Sequence, residues 1–373
     1  MRILIASDKF KGSATGGEVA EALARGIRSV IPDAAVDAAP VADGGEGTVD
    51  AVVACGFEPV AVVVTGPVGQ PVTATFAVRG AEAVIEMAAA SGLDQLPGGE
   101  PAPLTATSRG TGELIAAALD WGCNRIVLGV GGSANTDGGA GMLQALGVSL
   151  RAADRPVRAG GAALADLISV DVSGLDPRIA DATFVLASDV DNPLLGDRGA
   201  AAVFAPQKGA SADDVAALEA ALARFSTLLE EQPGVRPSAT SPGAGAAGGV
   251  GYAAMAVLGA TREPGIEVVQ RLTGLAGRIA GADLVITGEG SLDDQSFGGK
   301  TPMGVAAAAR AAGAPVIAVC GRTTLSAEQA VAAGFSDVRA LSELEPDPAR
   351  SMANAADLLV RVGAEIGRSL QGH

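Results

Sequence analysis

Short apolar runs alternate with amphipathic helical stretches at both ends of the chain. At the amino-terminal end, RILIAS (2–7) and AVDAAPVA (35–42) predict strands on either side of a helix near 16–30. Beyond about residue 280 the predicted elements are DLVITGEG, a helix near 303–312, PVIAVCG, a further helix, FSDVRAL and a last helix at 348–369. Because such alternation is typical of α/β folds, we predict one doubly wound, mostly parallel sheet formed by both chain ends.

The middle of the chain follows a different pattern. VAVVVTGPVGQPVTATFAVRGAEAVIEMA (60–88) contains three strand-like runs joined by short Gly/Pro turns, which predicts antiparallel pairing. The elements predicted after it are a helix near 111–121, the strand RIVLGV, a helix near 139–146, the strand FVLASD (184–189) and a helix at 212–231 with a Ser211–Asp214 capping box. VRPSATSPGAGAAGG (235–249) is the most loop-like stretch. We therefore predict a second α/β domain, inserted into the first.

The composition fits an intracellular protein with a core of small side chains. Of the 373 residues, 48% are hydrophobic but only 3% are aromatic, so alanine and valine must fill most of the core. No signal-peptide apolar region and no stretch of about 20 apolar residues is found, which predicts a cytoplasmic protein without a membrane partner. Cys55, Cys123 and Cys320 have no metal or redox spacing and are expected to be reduced, buried residues.

The charged residues and the single histidine exclude several classes of function. A net charge of −16 argues against nucleic acid as a partner. Only four of the 26 basic residues are lysines (Lys9, Lys11, Lys208 and Lys300), and all four lie in glycine-rich or turn-like motifs where a compact positive charge is useful. The single histidine, His373, is the last residue, so histidine-based triads and zinc sites are excluded. Carboxylates are therefore the expected acid–base groups.

A glycine-rich stretch, LGVGGSANTDGGAGMLQALG (128–147), is the first candidate site. It matches the dinucleotide motif G-x-G-x-x-A only weakly, since 135–139 would interrupt the helix, and it lacks a Walker A lysine. Backbone amides, the Ser133 and Thr136 hydroxyls and a helix N-terminus remain, which together favour an anion-binding nest. A tight turn with a helix cap is the alternative. Asp137 is open to three interpretations: metal partner, substrate contact, or helix cap.

Further polar loops follow predicted strands. Asp189, Asp191 and Asn192 come after FVLASD, where oxygen ligands suit Mg²⁺ or a substrate hydroxyl, although an Asx-turn is the alternative. Glu289 follows another apolar run, and DKFKGS and ADGGEGT follow the first two strands. Each loop alone can be an ordinary turn. Together they predict one cleft that handles a phosphate and its metal, as phosphoryl transfer requires.

The motifs resemble those of the bacterial type 1 glycerate kinases. The resemblance rests on IASDKFKGS, PVADGGEGT, TSRGTGEL, GVGGSANTDGGAGMLQALG, SDVDNPLLG, FAPQKGA, PGAGAAGGVGYA and DLVITGEGSLDDQSFGGKTPMGVA, in the family's order. It implies ATP-dependent phosphorylation of D-glycerate with Mg²⁺, usually to 2-phosphoglycerate. It also implies a flavodoxin-like domain (1–65 and 280–373), an inserted α/β domain (66–279) and an active site in the cleft between them.

Residue roles are carried over from the family's motifs. The resemblance implies catalytic roles for Lys11, Asp43, Asp189, Asp191 and Glu289. It implies cofactor binding by Gly131, Gly132, Ser133, Asp137, Lys208 and Lys300. It implies substrate binding by Lys11, Glu46, Asn192 and Gln295, and metal binding by Asp189, Asp191 and Glu289. Arg109 is a further hypothesis for substrate binding, since Lys11, Lys208 or Arg109 could bind the substrate carboxylate.

This chain departs from the family's pattern in three places. It has SANTD where SATND is frequent, Ser291 where arginine is common, and Arg109 where an aromatic residue is common. The identity of the base, the 2- or 3-phosphoglycerate product and the oligomeric state, a homodimer included, stay open. Rival functions are a kinase for another small hydroxy acid, a non-catalytic metabolite-binding protein and a dinucleotide-dependent oxidoreductase.

Overall fold

The computed structural model describes residues 1–293 and 301–371. The predicted site residues Gln295 and Lys300, and also His373, lie outside these described residues. The strands are β1 (Arg2–Ser7), β2 (Ala35–Ala38), β3 (Glu58–Thr65), β4 (Pro71–Arg79), β5 (Glu82–Glu86), β6 (Arg125–Gly129), β7 (Ser149–Ala152), β8 (Arg155–Pro156), β9 (Ser169–Asp171), β10 (Thr183–Ala187), β11 (Thr261–Glu263), β12 (Leu284–Leu292), β13 (Val316–Thr323) and β14 (Asp337–Ala340).

Helices separate most of these strands. They are α1 (Gly16–Val30), α2 (Thr48–Val53), α3 (Ala88–Ser91), α4 (Arg109–Asp120), α5 (Ala140–Ala145), α6 (Ala200–Phe204), α7 (Ala212–Glu230), α8 (Ala246–Ala256), α9 (Gly265–Thr273), α10 (Leu275–Ile279), α11 (Thr301–Ala311), α12 (Ala327–Ala333), α13 (Pro348–Ala353) and α14 (Ala355–Gln371). Among the described residues, we find no helix of the length and apolarity that a membrane crossing requires.

The chain divides into two compact units. The first consists of 1–43, 50–55 and 266–373, and the second of 44–49 and 56–265. These divisions differ from the predicted boundaries at 65 and 280. Strand β3 is paired with β4 along its whole length and so belongs to the second unit, whereas α9 from residue 266 onward and all of α10 belong to the first.

The first unit contains a five-stranded parallel sheet in the order β14-β13-β12-β1-β2. Alternate residues of β1 enter two different cores. Ile3 and Ile5 pack with α1 and α14, whereas Leu4 and Ala6 pack with α10 and α11. Both faces of the sheet are therefore covered by helices, as expected for a parallel sheet whose strands read as continuous apolar runs.

The register of this sheet brings two loops together. Ser7 at the end of β1 is aligned with Gly288 on β12, so Asp8 and Glu289 are the next residues of neighbouring parallel strands. The amide of Asp8 donates to the carbonyl of Gly288 over 2.9 Å, which extends the pairing by one step. The order of strands reverses between β1 and β12, and ligands of open α/β sheets bind at such positions.

The second unit contains a six-stranded sheet in the order β11-β10-β6-β5-β4-β3. The β3-β4 and β4-β5 pairs are antiparallel, as predicted, and the other pairs are parallel. Glu86, Gly129, Ala187 and Glu263 end the four parallel strands in register, because Glu86 and Ala187 both align with Gly129 and Glu263 aligns with Ala187. The loops that follow these four residues therefore leave the sheet at the same edge.

Most of the elements named from the sequence are confirmed within two or three residues, including the capping box of Ser211 and Asp214 on α7. The main omission is a small antiparallel sheet in the order β8-β7-β9. A helix, α8, also begins inside the stretch that was predicted to be loop. Its first turn is irregular, since Ala247, Gly248 and Gly249 all have positive φ angles.

Candidate functional site

The segment Gly44–Gly45 lies directly on the carboxyl ends of the second unit's parallel strands. A Cβ atom on Gly129 would lie 2.1 Å from the carbonyl oxygen of Gly44, and one on Gly131 would lie 2.8 Å from the Cα of Gly45. Side chains are excluded at that distance, so glycine is required here for close backbone approach. The two motifs DGGEGT and GVGGSANTDGG, which are remote in sequence, therefore form one surface.

Glu86 holds the chain that follows Gly44–Gly45 in place through a hydrogen bond. Its side chain is 8% exposed at the end of β5, and its carboxylate accepts a hydrogen bond from the amide of Val49 in the first turn of α2. A buried carboxylate that accepts from a backbone amide at a helix N-terminus is electrostatically favourable. Glu86 was not a sequence candidate. Its position at the end of an apolar strand, in VIEMA, was the available signal.

The glycine-rich loop presents free amides on its outer side. Gly132 is exposed and Gly131 is half-buried. Among residues 1–293 and 301–371, the amides of Gly131, Gly132 and Ser133 donate no hydrogen bond to protein acceptors. Successive unpaired amides in a turn with positive φ, here 70° at Gly132, form a concavity that suits an anion.

Asp137 holds the inner side of the same loop. It is fully buried, and one carboxylate oxygen accepts from the amide and hydroxyl of Ser108 at 2.8 and 2.9 Å and from the amide of Gly141 at 3.2 Å. The other oxygen accepts from Asn135 Nδ2 at 2.9 Å and from the amide of Gly139 at 3.1 Å. The hydrogen bonds from the Gly139 and Gly141 amides at the start of α5 fit the helix-cap interpretation of this residue, and the other two interpretations stay predictions.

Lys208 also contacts the inner side of the loop. It ends a short turn, Pro206–Lys208, and is 2% exposed. Its ammonium group donates to Ser133 Oγ at 2.9 Å and to the carbonyl of Asn135. Burial lowers the pKa of Lys208 to about 7, and the charge of Asp137 opposes that shift. Ser133, Asp137 and Lys208, all predicted site residues, are thus brought together around one loop.

A second glycine-rich segment, residues 247–249 at the start of α8, packs against the glycine-rich loop. Asn135 Nδ2 donates to the carbonyl of Ala247, and the amide of Gly138 donates to the carbonyl of Gly248 at 2.9 Å. A Cβ atom on Gly248 would lie 2.2 Å from the carbonyl of Asn135. The irregular start of α8 is therefore shaped by its contact with the glycine-rich loop.

The aspartates that follow β10 lie in different environments. Asp189 is half-buried, and its carboxylate accepts from the amide of Gly265 at 2.8 Å, which ties the ends of two neighbouring strands together. The side chain of Asp191 is 67% exposed and forms a 3.0 Å ion pair with Arg198. Asn192 donates to the carbonyl of Arg198 at 2.7 Å. Asp189 follows β10 by two residues, and β10 pairs with β6, the strand that leads into the glycine-rich loop.

Arg109 lies at the start of α4, immediately after Ser108. Its guanidinium group pairs with Glu113 one turn later at 3.0 Å, and its side chain is 46% exposed. Glu113 also accepts from the amide and the hydroxyl of Thr65. The i, i+4 spacing of Arg109 and Glu113 was the available signal for this ion pair, which engages the charge of Arg109 within its own helix.

In the first unit, a carboxylate that the sequence analysis did not single out has a strongly raised pKa. Asp8 accepts from the amide of Lys9 and from the hydroxyl of Thr301, both at 2.7 Å. Burial, together with the charge of Asp43, raises the pKa of Asp8 from 3.8 to about 7. Carboxylates with pKa values near neutrality at strand ends are typical of functional sites. The motif DKFKGS contains the residue, but Thr301 is 293 positions away.

Other first-unit candidates surround the same strand ends. Glu289 is half-buried next to the β1 edge, and Lys11 is exposed in the turn after β1. Ser291, where the family commonly has arginine, is aligned with Arg322 on β13 and accepts a hydrogen bond from its Nε at 3.2 Å. A positive charge is therefore present next to Ser291, supplied by the neighbouring strand.

The carboxylates in the described part of the chain do not form a complete metal-binding site. In the described part of the chain, no three histidine, cysteine, aspartate or glutamate side chains converge to hold a metal ion. Mg²⁺ is usually bound by one or two carboxylates together with substrate phosphates and water, so a site without a bound nucleotide need not contain a cage. The described residues on their own do not provide a complete magnesium site.

Comparison with known proteins places this arrangement in a family. The profile of the glycerate kinase family matches residues 3–371. Glycerate kinase of Bacillus subtilis (strain 168) is 45% identical, with 100% of this chain and 98% of that protein covered. Glycerate 2-kinase of Escherichia coli (strain K12) is 44% identical, with 99% of this chain and 98% of that protein covered. A crystal structure provisionally named glycerate kinase 2, from Salmonella typhimurium LT2, is 43% identical, covers 100% of this chain and 98% of its own, and has a TM-score of 0.85. The chain belongs to the glycerate kinase family.

Proposed function

We propose that this protein transfers the terminal phosphoryl group of ATP to a hydroxyl of D-glycerate, giving 2-phosphoglycerate. Glycerate kinases are phosphotransferases with an alcohol group as acceptor, and a relative that aligns over the whole chain is named a glycerate 2-kinase. The structural observation that carries the proposal is the nest of free amides at Gly131, Gly132 and Ser133. It offers the donors that a polyphosphate needs in a chain of high negative charge.

The glycine-rich loop is the proposed phosphate-binding element. Its outer amides would bind the phosphates, while Asp137 and Lys208 fix its conformation from the inner side. Preorganised amides stabilise developing negative charge without any reorganisation at the moment of transfer, and phosphoryl transfer depends mainly on positioning and electrostatics. The weak dinucleotide motif in the sequence is thereby accounted for by a phosphate-binding function.

Carboxylates supply the proposed acid–base group. The substrate hydroxyl must lose a proton to an acceptor, and the described part of the chain contains no histidine that could accept it. Asp189 in the second unit, and Asp43 and Glu289 in the first, stay the proposed residues. We add Asp8, because a pKa of about 7 suits a group that accepts a proton at neutral pH.

Positive charge is the proposed means of binding the glycerate carboxylate. Lys11 is exposed in the turn after β1, so its ammonium group is free to reach a small anion. Mg²⁺, when bound with the nucleotide, would neutralise charge on the transferred phosphoryl group, and Asp189 is the proposed protein ligand. Lys300 and Gln295 keep their proposed roles on sequence grounds alone.

The proposed architecture for the first unit is flavodoxin-like. Numbered within the unit, its strands run 2-1-3-4-5, which is the order of that fold class. In such sheets ligands bind beyond the carboxyl ends of the first and third strands. This supports functional roles for Asp8 and Lys11, which follow the first strand, and for Glu289, which lies in the carboxyl-terminal half of the third.

The decisive experiment is a phosphorus NMR spectrum of the product formed from D-glycerate and ATP. The expected product is 2-phosphoglycerate, and 3-phosphoglycerate would correct the site of transfer. A panel of other small hydroxy acids with coupled ADP detection tests the substrate class. If ATP is not consumed with D-glycerate but is consumed with another hydroxy acid, the proposed substrate is wrong.

Alanine variants of Asp43, Asp189, Asp191 and Glu289 test the carboxylate mechanism. We expect at least one of them to lower kcat by about 100-fold or more, as loss of a positioned base does. Asp191 is the variant with the weakest expected effect because its carboxylate lies on the surface beside Arg198. Near-native kcat in all four variants and in Asp8→Ala would rule out these carboxylates as the base.

A further inference from the structure

Lys208 is buried against the glycine-rich loop, where its ammonium group contacts a hydroxyl and a carbonyl group. With 2% of its surface accessible, it is shielded from a ligand on the outer side. Its Nζ contacts Ser133 Oγ at 2.9 Å and the carbonyl of Asn135, so it acts on the loop's own atoms. A lysine in this position differs from one that touches a phosphate directly.

The ammonium group has no counter-ion in contact with it among the described residues. Asp137 is the charged group whose field reaches Lys208, and it opposes the shift caused by burial. Both oxygens of Asp137, however, are occupied by donors of Ser108, Asn135, Gly139 and Gly141. A buried cation without a counter-ion in contact is costly, which is why burial lowers the pKa of Lys208 to about 7.

We propose that Lys208 is a positioning residue that takes up a proton from solvent when the phosphates of a nucleotide bind to the amides of Gly131, Gly132 and Ser133. The inference rests on the function proposed above. The negative phosphates lie across one loop from Lys208 and supply the counter-charge that it lacks. Because linkage is reciprocal, protonated Lys208 strengthens nucleotide binding by the same factor.

This role predicts that nucleotide affinity depends on pH. The neutral amine predominates above the pKa of the free protein, so binding must then include the cost of protonation. Above about pH 7.5 the terminal phosphate of the nucleotide is fully ionised and adds no pH dependence of its own. Affinity should therefore fall by up to about tenfold per pH unit from about pH 7.5 to 9.

Calorimetric titration of the full-length protein with ADP measures the proton directly. At about pH 8, where the terminal phosphate of ADP is already ionised, binding heats in two buffers of different ionisation enthalpy should show uptake approaching one proton, because a group with a pKa of about 7 is mostly neutral before binding. Lys208→Met, which keeps the length of the side chain and removes its charge, should lose this uptake and bind ADP about tenfold more weakly. Arg158→Met removes an exposed charge of the same unit and should keep the wild-type uptake and affinity.

The outcomes separate the inference from the proposed function. Wild-type protein that phosphorylates D-glycerate but binds ADP without proton uptake overturns the inference and leaves the function standing. Uptake that persists in Lys208→Met assigns the proton to another group and also overturns it. If Lys208→Met does not fold, the wild-type profile decides, since a flat ADP affinity from about pH 7.5 to 9 contradicts the proposal. Failure to turn over D-glycerate overturns the function itself.

Discussion

Ser108 donates two hydrogen bonds, from its amide and from its hydroxyl, to the same buried oxygen of Asp137. The residues are 29 positions apart, so the contact joins the start of α4 to the glycine-rich loop. The Ser108 hydroxyl also accepts from the amide of Met142 at 2.9 Å, which adds α5 to the same network. The Asp137 carboxylate thus links the glycine-rich loop to α4 and, through Ser108, to α5.

Replacing Asp137 with asparagine should destabilise the second unit strongly. The amide NH₂ group would face donors on one side of the side chain, so at least one buried group would lose its partner. We expect a loss of about 3–5 kcal/mol in the free energy of unfolding, measured by urea denaturation. Asp191→Asn, which alters an exposed ion pair, should change stability by less than about 1 kcal/mol. Equal effects in the two variants would contradict the structural role of Asp137.

Replacing Gly129 with alanine should separate the two glycine-rich segments. The new methyl group would lie 2.1 Å from the carbonyl of Gly44, a distance that side chains do not reach, so one segment must move. We expect kcat/KM for D-glycerate to fall by about 100-fold or more, since small misplacements of positioned groups have effects of this size. Steady-state kinetics provides the measurement.

Gly277→Ala is the matched control for that variant. Gly277 lies in α10 with nothing within 4 Å of its added Cβ atom, and its φ is compatible with alanine. Stability should rise by about 0.5–1 kcal/mol while kinetics stay unchanged. If Gly129→Ala is as active as Gly277→Ala, the close approach of the two segments has no functional importance.

Because of the raised pKa of Asp8, the free energy of unfolding should fall as pH rises from about 4 to about 7. The pKa of Asp8 is raised from 3.8 to about 7 in the folded state, so the folded protein holds a proton that the unfolded chain has already released. Asp8→Asn resembles the protonated form and should raise the free energy of unfolding by about 1–4 kcal/mol at about pH 8. Urea denaturation at about pH 8 and pH 4 tests this, and a gain of equal size at both values would exclude the titration of Asp8 as its cause.

Glu86 should stabilise the protein through the hydrogen bond that it accepts from the Val49 amide. Glu86→Ala leaves the buried amide of Val49 without this acceptor, and we expect a loss of about 1–3 kcal/mol in the free energy of unfolding. Glu86→Gln retains an acceptor oxygen and should lose less. The same order should appear in kcat/KM, because Glu86 fixes the segment that contains Glu46. An alanine variant as stable as the glutamine variant would show that the hydrogen bond has little weight.

Much of the fold could be predicted because local pattern and tertiary structure agree. The apolar runs of β1, β6, β10 and β12 are strands, and the polar loops after them lie at strand ends as expected. The predicted boundary at residue 65 placed β3 in the first domain, whereas the structure places it in the second unit. The alternation of apolar and polar residues shows which face of a strand is buried but not which strand it pairs with. Only the pairing of β3 with β4 settles which sheet it joins.

Side-chain environments were harder to predict than element positions. The turn-like motif PQKGA located Lys208 in a turn, but its inward direction depends on the loop that it contacts, 73 to 75 residues earlier. Asp8 has an ordinary sequence neighbourhood, and its pKa depends on burial and on Asp43 and Thr301. Long-range contacts determine such properties, so a motif indicates which residue is present but not what surrounds it.

The way the chain passes between its two units has a consequence for synthesis on the ribosome. Strand β1 is central in its sheet, with β2 on one side and β12 on the other. The amino-terminal strands therefore leave the ribosome long before the partner that completes their sheet. The second unit lies entirely within 44–265 and can fold before β12 is synthesised. During that time the edge of β1 that will pair with β12 stays unpaired. Strand β1, although it precedes the second unit in the chain, thus belongs to the unit that is completed last, and its unpaired edge can aggregate in the meantime.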